Sequence, residues 1–179
     1  MTRSDPIRMY PYDPAWAESF ERARLTLTAA LAPWLARPIE HIGSTAVPGL
    51  VAKPIIDIVA VVDDVDAAGA AIGPLREIGW VAAPEPSDDA ACKLSFCTPT
   101  VELRTHHLHV VELSSSGWRD WIAFRDHLRA HPEAAAAYGE LKTRLAAEHG
   151  ADPNKRDAYR AGKASWIVDV TARARSQSR

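Results

Sequence analysis

The stretch 39–62, IEHIGSTAVPGLVAKPIIDIVAVV, constrains this chain more than any other. Two short apolar runs flank a loop holding Gly43, Ser44, Thr45, Pro48, Gly49, Lys53 and Pro54. The second run, 55–62, is almost wholly apolar and largely β-branched, which predicts a buried strand. It nevertheless carries one carboxylate, Asp57. Desolvating an unpaired charge costs more than the packing of such a strand returns. Asp57 therefore either has a specific partner or faces a cleft at a strand edge.

The rest of the chain fits an ordinary globular protein around that stretch. Its 179 residues, 47% hydrophobic and 25% charged, can bury a core without staples. They suit one compact domain, or an α/β core with a helical appendage. A formal net charge of −2 gives no support to a bulk nucleic-acid binder, although it leaves room for a local basic pocket. Cys92 and Cys97, at C-x₄-C, are the only cysteines and read as reduced thiols rather than a zinc site or disulfide framework. The N-terminus has no apolar signal-peptide core, and no run approaches the roughly 18 apolar residues that span a bilayer. A cytoplasmic protein with no membrane partner is expected.

Residues 1–12 read as an extended arm, because Pro6 and Pro11 oppose helix. Asp13-Pro14 then opens a helix with Trp16, Phe20, Ala23, Leu27, Leu31 and Trp34 on one face, ending by Pro38. A strand at 39–42, the loop and the strand at 55–62 follow. Asp63-Asp64-Val65-Asp66 caps a second helix reaching about 79, and 80–83 reads as a short strand. Residues 84–91 are a polar surface loop. Residues 92–97 and 101–113 alternate as paired strands joined at 98–100. From Ser116-Gly117 onward the pattern is helical, with a restart at His131-Pro132-Glu133, a last helix over about 154–172, and a polar, frayed tail from 173. The layout is an arm (1–12), an α/β domain (13–113), a helical subdomain (114–172) and a tail (173–179).

Strand parity orients the chemistry. Ile55, Asp57, Val59 and Val61 point one way, and Ile56, Ile58, Ala60 and Val62 the other. Asp57 is thus either paired with a buried cation or capping a turn, or it is a carboxylate ligand for a hard cation such as Mg²⁺ or Mn²⁺. In the segment 104–112, RTHHLHVVE, His107 and His109 share a strand face and can reach one cation or one phosphate. A single histidine there would read as a satisfied core residue. His41 can join them if its strand is a neighbour. The loop lacks the Walker pattern. Read alone, its Gly-Ser-Thr and Pro-Gly pairs are turn chemistry; read with Asp57, its backbone N–H groups and hydroxyls can hold a phosphate. Tyr138-x₃-Lys142 and Tyr159-x₃-Lys163 each place a phenol and an ammonium on one helical face. They are snorkelling surface pairs or, with Arg125 and Arg129, a basic wall.

The run EHIGSTAVPGLVAKPIIDI, with HHLHVV, W-x₅-FRDHLRAHPEAAAAYGELK and the late Y-x₃-K, resembles the GrpB family from about Tyr10 to Val170. That family looks like a member of the DNA polymerase beta-type nucleotidyltransferase superfamily, and in some bacteria it is fused to dephospho-CoA kinase. The resemblance implies an α+β fold: a nucleotidyltransferase-like mixed β-sheet with flanking helices, then a C-terminal helical bundle. It implies transfer of a nucleotidyl group from a nucleoside triphosphate to a small-molecule acceptor. Gly43, Ser44 and Thr45 would hold the triphosphate, and Asp57 a divalent metal, Mg²⁺ or Mn²⁺. His107, His109 and His41 would complete coordination or move protons, which would favour Mn²⁺, Zn²⁺ or Fe²⁺. Lys53 or Arg104 would offset phosphate charge, with Lys142 and Lys163 against substrate.

One departure matters. The superfamily pattern h-G-[GS]…D-h-[DE]-h is met by Ile42-Gly43-Ser44 and Asp57-Ile58, but Val59 stands where a second carboxylate belongs. The rival readings are an inert module binding a nucleotide or a CoA precursor, and a histidine-metal phosphohydrolase. Glu40 or Glu112 would supply the missing carboxylate if either reached Asp57, but their strand parity relative to His41 and His109 argues against it.

Overall fold

The computed structural model describes residues 6–177; the first five residues of the arm and the last two of the tail lie outside it. Asp13 opens the first helix by accepting the Ala15 N–H on Oδ1 at 2.9 Å. Helix α1 runs Ala15–Leu31 with Trp16, Phe20, Leu27 and Leu31 buried. It stops before the expected Pro38 because Pro33 has no N–H to continue the ladder and its ring crowds the preceding turn.

Strand β1 (Glu40–Ile42) leads through a 3₁₀ turn, Ser44–Ala46, to β2 (Ile56–Val62). Asp64 then caps as expected, its Oδ1 accepting the Asp66 and Ala67 N–H groups at 2.9 and 3.0 Å. One long helix does not follow. The segment splits into a 3₁₀ stretch, Ala67–Ala71, and a short helix α2, Ile72–Glu77. Pro74 cannot bond back into the turn before it, and Gly69 and Gly73 weaken what remains. Strands β3 (Val81–Ala82), β4 (Lys93–Pro99) and β5 (Arg104–Glu112) complete the α/β half. β4 keeps Thr98 and Pro99, so its turn into β5 comes later than the Thr98-Pro99-Thr100 connection expected. Neither Cys92 nor Cys97 is in a disulfide.

The five strands lie in the order β1-β2-β5-β4-β3. β2 and β5 run parallel at the centre, and every other neighbouring pair is antiparallel. The parity expected for β2 is observed. Ile56, Ile58, Ala60 and Val62, with Leu108, Val110 and Phe96, pack on α1 and α2. Val59, Val61 and Val111, with Ile42, pack on Trp118 from the opposite side.

That second side is covered by helices α3 (Gly117–Ala130), α4 (Pro132–His149) and α5 (Arg156–Gln177). Helix α5 extends beyond the expected 172 because Ala174 is still buried and keeps the end docked. Residues 6–12 tie the halves together. The Ile7 N–H donates to the Gly150 carbonyl at 2.8 Å, and Tyr10 and Ala52 exchange two backbone bonds of 2.8 and 2.9 Å. No helix among the described residues is long and apolar enough to cross a membrane.

Candidate functional site

The parallel pairing of β2 with β5 sets Asp57 opposite His107 and Val59 opposite His109. All three polar side chains therefore emerge on the helical side of the sheet. One ligating atom from each of Asp57, His107 and His109 lies within 4.8 Å of the others. His107 Nδ1 is 3.1 Å from Asp57 Oδ1. With that nitrogen donating, Nε2 is left as a lone-pair donor, the arrangement by which carboxylates orient metal-binding imidazoles. His107 Nε2 and His109 Nδ1 are buried and have no hydrogen-bond partner. Buried polar atoms without partners are rare in folded proteins. Two of them on imidazoles clustered with one carboxylate could hold a cation.

Burial opposes the Asp57 charge. The hydrogen bond from His107 and the fields of His107, His109 and Lys53 outweigh it and hold the carboxyl below its usual range. Burial also pushes His109 down, against the pull of Asp57, so the imidazole stays neutral and able to ligate. Gly43 completes this corner. Its φ of 73° and ψ of −171° belong to a region that essentially only glycine adopts. A Cβ there would lie 3.0 Å from Asp57 Cβ and collide with the carboxylate itself.

These groups floor a cleft of about 800 Å³ between the sheet and the helical half. Its far wall is cationic, with Lys142 from α4 and Arg156, Arg160, Lys163 and Arg175 from α5, while Lys53 enters from the loop before β2. Lys142 is 2% exposed. Its Nζ donates to Ser44 Oγ at 2.9 Å and the Val51 carbonyl at 2.5 Å, and lies 4.7 Å from the Tyr138 ring. Burial, then Lys163 and Lys53, lower its pKa to about 7, opposed by Asp57. Lys163 sits 4.5 Å over the Tyr159 ring and is also pushed down by burial. Arg160 and Arg175 are exposed and paired with Asp157 and Asp120, whereas the more enclosed Lys142 and Lys163 have no carboxylate among their hydrogen bonds, a wall that suits an anionic ligand.

Several anticipated residues lie elsewhere. His41 pairs with Ile58, so it faces α1 rather than the cleft. It stacks on Phe20 at 4.7 Å, and its Nε2 is 3.0 Å from Thr45 Oγ1. Thr45 donates to the Ile55 carbonyl, so Nε2 of His41 must carry the proton. His41 thus stands on the opposite face from Asp57, His107 and His109, and neither it nor Thr45 leaves a buried side-chain atom without a partner, although Thr45 borders the cleft. Arg104 is likewise on the far face and donates to the Val101 carbonyl. Arg125 binds Glu40 at 2.7 Å and the His41 carbonyl at 2.8 Å, and Arg129 binds the Ala46 carbonyl at 2.9 Å. Both brace the Gly-Ser-Thr turn from outside the basic wall. Against expectation Glu40 pairs with Val59 and so shares the face of Asp57, but Arg125 holds it; Glu112, opposite Val62, is on the other face and accepts from Ser114.

Besides Asp57, the carboxylates that reach the cleft are Asp120 from α3 and Glu85 from the loop read as mere surface. Lys93 clamps Glu85 at 2.7 Å and also holds Asp88 at 3.1 Å, while Asp88 accepts from Ser95 and from the Glu85 N–H. Lys93, with its side chain only 5% exposed, was the signal available: a charge inside an alternating strand. The cations at Arg156, Arg160 and Lys163, spaced i, i+4, i+7, were a second.

Fold and site define a small α+β protein whose C-terminal helical bundle closes a basic, metal-competent cleft onto one face of a mixed sheet. The chain belongs to the GrpB family, whose model, described as GrpB protein, matches residues 6–173. It is 37% identical over 177 residues to the UPF0157 protein of Pseudomonas aeruginosa, covering 98% of this chain and 70% of that one. It is 30% identical to a dephospho-CoA kinase of Mycolicibacterium paratuberculosis over 94% of this chain, spanning 46% of that protein. Among solved structures, GrpB from Enterococcus faecalis superposes with a TM-score of 0.83 at 30% identity, over 96% of this chain and 99% of that one. A far slighter likeness, TM-score 0.43 at 14% identity, over 77% of this chain and 39% of that one, is to the Cid1 poly(U) polymerase.

Proposed function

We propose that the cleft binds a nucleoside triphosphate with a divalent cation and transfers the nucleotidyl group to a small-molecule acceptor. The observation that carries this is the convergence of Asp57, His107 and His109, two of them with buried unpartnered nitrogens, opposite a basic wall. A cation held by these three residues would neutralise phosphate charge during in-line displacement. Two imidazoles beside one carboxylate favour Mn²⁺ or a softer metal over Mg²⁺. Lys53 and Lys163 offset the remaining phosphate charge inside the cleft. The bare Cα of Gly43 lets a phosphate approach the backbone beside Asp57. Arg156 and Arg160 extend the same positive wall for the rest of the ligand.

Val59 supports one rival. A single carboxylate on β2 suits binding of a nucleotide, or of a CoA precursor, without turnover. The discriminating experiment is calorimetric titration of ATP, GTP, CTP and UTP into metal-free protein with Mg²⁺ and then Mn²⁺, in wild type and Asp57→Ala, followed by assay for pyrophosphate. Metal-dependent binding lost in Asp57→Ala, with pyrophosphate released in wild type, is expected. Binding without pyrophosphate selects the inert module, orthophosphate selects a histidine-metal phosphohydrolase, and no binding with either metal removes the nucleotide reading.

A further inference from the structure

We propose that Ser44 and Lys142 form a nucleophile–base dyad that accepts the nucleotidyl group covalently before it passes to the acceptor. This rests on the nucleotide reading above and adds an intermediate to it. Ser44 opens the 3₁₀ turn straight after β1 and Gly43, and it borders the cleft. That tight turn presents its hydroxyl to Lys142 Nζ at 2.9 Å.

The surroundings of Lys142 suit an amine better than an ammonium. It is 2% exposed, and among its hydrogen bonds there is no carboxylate. On losing its proton, Lys142 keeps an N–H on the Val51 carbonyl and turns its lone pair to the Ser44 O–H, in place of the N–H it donates there when charged. Lys163 from α5 and Lys53 from the preceding loop repel a charge there, and Asp57 from β2 alone attracts one. The nearby phenols stay un-ionised, because burial raises both Tyr138 and Tyr159. With its pKa near 7, about half of Lys142 is free base at neutral pH. A base of this kind touching a hydroxyl is the arrangement by which serine nucleophiles are activated.

The other acids of the cleft are committed. Asp57 holds His107, Glu85 is clamped by Lys93, and Asp120 pairs with Arg175. In the first step Ser44 Oγ attacks the α-phosphorus and its proton passes to Lys142 Nζ. The Oγ–P bond forms as the α–β anhydride breaks, and pyrophosphate leaves with the bonding electrons. In the second step the acceptor oxygen attacks the same phosphorus and the Oγ–P bond breaks. Oγ recovers its proton from Lys142, and the acceptor's proton goes to solvent.

The first step needs no acceptor, so it can be tested on the whole chain with each of ATP, GTP, CTP and UTP and Mn²⁺. Reactions are acid-quenched from milliseconds to minutes, and intact mass and peptide mapping are read beside calorimetric nucleotide binding. Wild type is expected to gain one nucleoside monophosphate at Ser44, faster as pH rises through about 7. Ser44→Ala should show none. Lys142→Arg cannot act as a base, and should slow the adduct by about 10²–10⁴ while binding changes only a few-fold. Binding with no adduct at any quench time, or an adduct at another residue, overturns the dyad and leaves the nucleotide reading standing. Absence of nucleotide binding removes both.

Discussion

The two faces of the sheet hold histidines under opposite conditions. On the α1 face His41 is stacked, hydrogen-bonded and pushed down to a pKa of about 4, chiefly by burial. On the helical face His107 and His109 each keep a buried nitrogen with nothing to bind. His41 is buried as a whole and His107 and His109 only in part, yet it is the half-buried pair that leaves buried nitrogens unsatisfied. The lesson is that a polar side chain inside a fold is core when every atom is accounted for, and site when one is not.

Neighbouring residues of β2 give the sharpest way to break this contrast. Ile58, fully buried on the α1 face, should cost about 2–5 kcal/mol when changed to Ala, measured by equilibrium denaturation. Asp57→Ala should leave the unfolding midpoint of the metal-free protein unchanged or raised. It should also weaken Mn²⁺ binding by at least about tenfold in direct titration. Comparable destabilisation by both changes would mean Asp57 is a structural residue after all.

The glycines of the loop offer a smaller difference. Gly43 and Gly49 both have positive φ, but a Cβ at Gly49 meets nothing within 4 Å. Gly49→Ala should cost only the backbone strain of about 1–2 kcal/mol. Gly43→Ala should cost more and also abolish nucleotide binding, because its Cβ takes the space of the Asp57 carboxylate.

The finest test is pH. His41 is neutral in the fold down to about 4, whereas the unfolded chain protonates near 6.5, so its contribution is lost as pH falls through that window. His41→Gln should flatten the fall in melting temperature there. Lys142 acts in the other range. Below about 7 it is charged in both states and its burial penalises the fold, and that penalty fades as pH rises from 7 toward 10.5. Lys142→Met should therefore exceed wild type in melting temperature most clearly below pH 7, with the gap closing at higher pH.

Much of this was legible from strand parity and spacing. Alternation put Asp57 on the face of Val59 and Val61, and His107 with His109, because period two leaves little freedom on a sheet buried on both sides. What parity could not supply was the neighbour of each strand. His41 looked available until its pairing with Ile58 turned it toward α1. Glu85 lay in a segment without periodicity, and only its contact with Lys93, eight residues on, brings it to the cleft. Lys142 and Ser44 are separated by 98 positions, a distance over which local pattern carries no information.

The central pair of strands has a kinetic consequence. Asp57 and His107 meet across 50 residues, through a parallel pairing that a hairpin cannot make. The crossover between them must close before any of the three cation-facing groups is assembled, and such long-range closure is slow relative to helix formation. No fragment ending at β2 can hold the site. If the proposed cation site holds, recovery of Mn²⁺ binding during refolding would report completion of the topology itself, later than the helical signal.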